Sequence, residues 1–117
     1  MMTFTNEQML NIITLLSQLN EKGMLGYAIS KNRRLITNEC KEYAEKRDEL
    51  LKEFGTDMGN GQFRLVGENL EKFAEAIKPF AELTAEINVM TVSQDVFCSG
   101  NLTSQQMFAL DWMVKEE

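Results

Sequence analysis

The chain has 117 residues, 44% of them hydrophobic, and a formal net charge of −6. That length fits one domain with a real core, and no apolar run approaches the roughly 18 residues that span a bilayer. With no histidine, the chain lacks the usual zinc ligand and the usual general base, so histidine-dependent triads and zinc hydrolase sites are excluded within one chain.

Two cysteines 58 residues apart, Cys40 and Cys98, cannot build a disulfide framework. No basic segment followed by an apolar block opens the sequence, so a soluble cytoplasmic protein with reduced thiols is expected. Charge is uneven. Residues 1–54 carry eight positive and eight negative groups, and residues 55–117 carry four positive and ten negative. The acidic second half repels nucleic acid and anionic lipid.

Helix one opens on a capping signature. Thr5 and Gln8 are spaced for a capping box, and Phe4 and Met9 for a hydrophobic staple. The stripe Met9, Ile12, Ile13, Leu15, Leu16 and Leu19 follows, and Asn20 and Gly23 end the helix. Gly23 and Gly26 introduce helix two, with a start between Met24 and Ser30.

That second helix, from Ile29 to Phe54, is the most informative segment. Ile29, Ile36, Cys40, Tyr43, Leu50 and Phe54 form one apolar face. Arg33 and Arg47 occupy the positions that complete the stripe. An inward guanidinium needs partners, so ion pairs within the fold or across an interface are expected for them. Lys31, Arg33 and Arg34 form one basic cluster, a candidate contact for a partner. Glu39, Glu42, Glu45, Asp48 and Glu49 are expected to be ordinary helix surface. Gly55 is expected to stop the helix in a left-handed conformation.

Thr56–Gly61 is turn-rich. Counting Asp57 as the first position of a calcium loop puts Glu68 at the twelfth, but Gly59 and Gly61 fall where side-chain ligands are needed. A hairpin-type turn is the better account. Gln62–Val66 is predicted as a short strand, followed from about Glu68 by a helix with the stripe Leu70, Phe73, Ile77, Phe80 and Leu83. Pro79 is expected to kink or break it near Glu75. Glu86–Ser93 is the best strand and is expected to pair with Gln62–Val66. Ser93 caps a short turn through Phe97. Thr103 and Gln106 repeat the capping box, opening a final helix on which Phe108 and Trp112 share one face. With Met107 and Met113 they offer an adaptable apolar surface for docking on the body or on a partner.

The layout resembles a family of small uncharacterised proteins encoded by phages and prophages of Gram-positive bacteria. Three stretches carry the resemblance: Lys46-Arg47-Asp48-Glu49-Leu50-Leu51-Lys52-Glu53-Phe54-Gly55; the glycine loop and strand leading into an acidic helix with Phe73; and Glu86-Ile87-Asn88-Val89 leading to Leu102-Thr103 and Leu110-Asp111-Trp112-Met113. The resemblance implies a phage-encoded accessory role and carries no catalytic residues over.

The expectation is one mainly α (α+β) domain over residues 1–117, with about four helices, one of them long and charged, and a small two-stranded sheet. The expected function is non-enzymatic protein–protein binding, with a partner of phage or host origin and homo-oligomerisation as an option. The candidate contacts are Lys31, Arg33, Arg34, Arg47, Phe108 and Trp112, with no cofactor and no metal. The alternatives are a host-directed anti-defence inhibitor, whose acidic surface blocks a basic or nucleic-acid-binding site, and an enzyme using Arg/Glu chemistry.

Overall fold

The computed structural model describes residues 2–115. Its frame is one 32-residue helix, α2 (Gly23–Phe54), beginning one residue before the expected range. At about 1.5 Å per residue it is about 48 Å long, which matches the 48 Å long axis of the molecule. Its inward stripe is Leu25, Ala28, Ile29, Asn32, Ile36, Cys40, Tyr43 and Leu50.

The chain enters through a short strand, β1 (Met2–Thr5), and turns directly into α1 (Asn6–Ser17). The capping box forms as expected. The Thr5 hydroxyl accepts from the Gln8 backbone at 3.1 Å, and the Gln8 side chain accepts from the Thr5 backbone at 2.8 Å. Phe4 and Met9 are both buried in the core. The helix α1 then packs along α2.

At the far end of α2, Gly55 is extended (φ −88°, ψ 157°) and not left-handed. The reason for glycine is proximity: a Cβ built here would lie 2.8 Å from the Cβ of Phe63. It lets the chain fold back into a hairpin of β2 (Thr56–Asp57) and β3 (Phe63–Arg64). Within the loop, the Asp57 carboxylate accepts from the Gly59 backbone at 2.8 Å and the Asn60 amide oxygen from Gln62 at 3.3 Å. These side chains turn onto their own loop, as turn-forming residues do.

Next comes α3 (Glu68–Ala81), which packs against α2. Pro79 removes the hydrogen bond that an N–H there would make to Glu75 O, yet the helix does not break near Glu75 and runs two residues beyond the proline. The end of α3 meets the start of α1: the Asn6 backbone N–H donates to Leu83 O at 2.9 Å, and its side-chain amide donates to Phe80 O at 2.9 Å. The first residue of α1 is thus tied to the last turn of α3 and to the residue just beyond its cap.

Strand pairing differs from expectation. The strand β4 covers Thr84–Ile87, earlier than predicted, and it pairs antiparallel with β1, Met2 opposite Ile87 and Thr5 opposite Thr84. The β3 segment instead pairs locally with β2. The result is two small two-stranded sheets on a mainly helical body.

The last part of the chain is short pieces: α4 (Gln94–Cys98), capped by Ser93, then α5 (Ser104–Ala109) and a 3-10 turn (Asp111–Met113). Thr103 and Gln106 make the second capping box. The expected long terminal helix stops at Ala109, and the tighter turn that follows sends both Leu110 and Met113 into the core. Beyond it, Val92 forms a parallel bridge with Val114, its N–H donating to Met113 O at 2.8 Å and its carbonyl accepting from Lys115 at 2.7 Å.

Cys40 is buried and Cys98 exposed. Burial pushes the Cys40 thiol pKa up, leaving less of the reactive thiolate. A native sample treated with a thiol-disulfide reagent near pH 8 should therefore release one equivalent quickly and the second only with denaturant. Two equally fast thiols would contradict the placement of Cys40. The raised pKa also fixes a sign. The unfolded chain loses this proton first, so Cys40's contribution to stability is full below the unfolded thiol pKa and declines as pH rises past it.

Candidate functional site

The six sequence-predicted contact residues are spread over three places. Arg33 and Arg34 are exposed on α2, where with Ser30, Thr37 and Asn38 they line a shallow depression of about 400 Å³. Lys31 is half-buried beside them. Arg33 is therefore not an inward residue. The seven-residue gap from Ile29 to Ile36 is bridged by Asn32 instead, which is 0% exposed.

The reason is chemical. The Asn32 amide donates to Met90 O at 2.9 Å and accepts from the Met90 N–H at 2.7 Å. One side chain thus satisfies both polar groups of a peptide running past the helix, which a guanidinium, having no acceptor, cannot do.

Phe108 and Trp112 do not form one face. Phe108 is 83% exposed on α5. Trp112, in the 3-10 turn, lies edge-on to Phe4 with ring centroids 5.4 Å apart, and its indole N–H donates to Ala109 O at 3.1 Å. Met107 is half-buried against the core and Met113 is fully buried. The adaptable surface expected of this segment reduces to Phe108.

Arg47 is half-buried, as its stripe position predicts, but the expected ion pair is missing. Among the described residues the one salt bridge is Lys46–Glu49, at 3.6 Å. The Arg47 guanidinium instead lies 5.8 Å from the centroid of the Phe73 ring, a cation–π contact.

Arg47 and Tyr43 lie in a groove of about 560 Å³ between α1, α2 and α3. Its apolar lining comes from Leu10 on α1, Leu65, and Leu70, Phe73, Ala74 and Ile77 on α3. Glu7, Asn11, Lys78 and Glu82 add polar groups. Burial pushes the Tyr43 phenol pKa up; the Arg47 charge opposes this, and Glu7 and Cys40 add to it.

The groove was not anticipated from the sequence. The signal was the α3 stripe itself, whose apolar residues outnumber those that pack inward. Phe73 is buried and Ile77 half-buried, while Leu70, Phe80 and Leu83 remain exposed. Among the described residues no buried side-chain nitrogen or oxygen lacks a hydrogen-bond partner.

Chemically, the groove offers apolar contact with the Arg47 guanidinium beside it, and polar groups from Tyr43, Glu7, Asn11, Lys78 and Glu82. Among the described residues no three potential metal-ligating side chains cluster, and no helix is long and apolar enough to cross a membrane. Comparison with family models, curated proteins and solved structures gives no match for this chain.

Proposed function

We propose that this chain is a small non-enzymatic accessory protein that acts by binding another protein, the role implied by its resemblance to phage-encoded proteins. The observation that supports the reading is the open apolar groove on α2, walled by Leu10, Leu65, Leu70, Ala74 and Ile77. Apolar side chains held at the surface of a folded domain gain from being covered, and such clefts mark contact sites.

Ala74 supplies the test. It is exposed on α3 and lines the groove, so Ala74→Trp fills the groove without entering the core. The chain, immobilised in lysate of a phage-infected Gram-positive host, should retain one dominant protein that Ala74→Trp does not. Identical retention by both forms, or by neither, would overturn the reading.

A further inference from the structure

We infer that the groove takes an amphipathic helix whose apolar face carries a carboxylate, and that Arg47 reads that carboxylate. This rests on the groove being a protein-binding site.

The shape argues for a helix. The groove walls are mainly side chains of α1, α2 and α3, whose backbone groups are used within their own helices, and Leu65 and Glu82 alone of the lining lie outside a helix. A partner strand would find no edge to pair with along these helical walls, which leaves side-chain packing, the mode by which an amphipathic helix fills a groove. From Leu70 to Ile77 the apolar wall runs two turns of α3, about 10 Å at 1.5 Å per residue. A helix of three or four turns covers it, with apolar residues three and four apart.

The charge argues for the carboxylate. Arg47 is half-buried against Phe73, yet no side-chain hydrogen bond and no salt bridge engages it among the described residues. Asn32, the other polar residue on the inward stripe, both donates to and accepts from the Met90 backbone. A guanidinium presents five donors in a planar fork and accepts nothing, so its natural complement is an acceptor-only group with two oxygens. The cation–π contact with Phe73 holds the guanidinium beside the apolar wall. Glu7 and Glu82 on the lining repel further acids, and Lys78 is a second cation there; of the two cations only Arg47 contacts the Phe73 ring on the apolar wall, so a single carboxylate opposite Arg47, with basic or neutral residues flanking it, fits best.

The experiment is a selection of displayed helical peptides of about 16 residues, randomised on one face, against the intact chain. The enriched peptides should share one Asp or Glu among apolar residues at three- and four-residue spacing. Their affinity should fall about tenfold or more on Arg47→Met and vanish on Ala74→Trp. Peptides that need an open groove but bind Arg47→Met equally well, or that carry no shared acid, would overturn the inference about Arg47 and leave the groove as a binding site. No enrichment, or enrichment indifferent to Ala74→Trp, would overturn the binding site itself. Unchanged melting of Arg47→Met confirms that the loss is one of recognition and not of folding.

Discussion

Replacing Asn32 with alanine should destabilise the protein by about 3 kcal/mol, a large share of the roughly 5–15 kcal/mol that holds a domain of this size. The amide is fully buried and makes two hydrogen bonds to the Met90 peptide. Alanine removes both and leaves the Met90 N–H and C=O unpaired beside a small void. Each orphaned polar group costs on the order of 1–3 kcal/mol, and the void adds to it. Leucine at the same position fills the volume but leaves Met90 just as unpaired, so it should not restore stability. Arg33→Ala, one residue away and exposed, should change stability by no more than about 0.5 kcal/mol. Urea unfolding followed by circular dichroism measures all three. A mild Asn32→Ala together with a damaging Arg33→Ala would mean that the inward stripe runs through Arg33 after all.

The second large effect concerns the end of the described chain. Truncation after Ala109 should abolish cooperative unfolding at room temperature. It removes Leu110 and Met113, both 0% exposed, each worth about 2–5 kcal/mol when cut back to alanine in a packed core. It also removes Trp112 from the edge of Phe4 and strips Val92 of both its backbone partners, Met113 and Lys115. Together these losses approach the whole stability of a small domain. Met113→Ala alone should leave a folded protein with a melting temperature lowered by roughly 10 °C or more. A truncated chain that still melts in one sharp transition near the parent temperature would show that this segment is accessory to the core.

How much of this was legible follows from the range of the interactions involved. The two capping boxes and the long helix were visible because their determinants lie three or four residues apart. Asn32 was missed because a seven-residue gap between apolar positions is bridged equally well by a step of three or of four. Only the Met90 peptide, 58 residues away, decides between them. The pairing of β4 with β1 was missed for a similar reason. Met2–Thr5 reads locally as the lead-in to a helix, and nothing near it in the chain announces a strand. The final helix was overextended because Leu110, Trp112, Met113 and Val114 look apolar all round. The break at Leu110 comes from the core's need for Leu110 and Met113 together.

For the site, Arg47 stood out as a charge on an apolar stripe, and its half-buried place in the groove follows from that position. The rest of the groove depends on how far α1 and α3 cover the middle of α2, which periodicity does not encode. Phe108 and the basic cluster at Lys31, Arg33 and Arg34 were readable as surface features, but not their distance from Arg47. Thirteen residues of helix separate Arg34 from Arg47, about 20 Å at 1.5 Å per residue.

The pairing of β1 with β4 also sets the order in which the chain can acquire its structure. Thr5 and Thr84 must meet across about two thirds of the given sequence, a loop closure whose entropy is recovered only when the contacts are made. On the ribosome, α1 and α2 can associate as a hairpin soon after both have emerged. The first strand, however, has no partner until β4 appears, and Val92 has none until Met113 and Lys115 follow it. Until those partners are made, the first strand and the α1–α2 pair lack the contacts that close the domain.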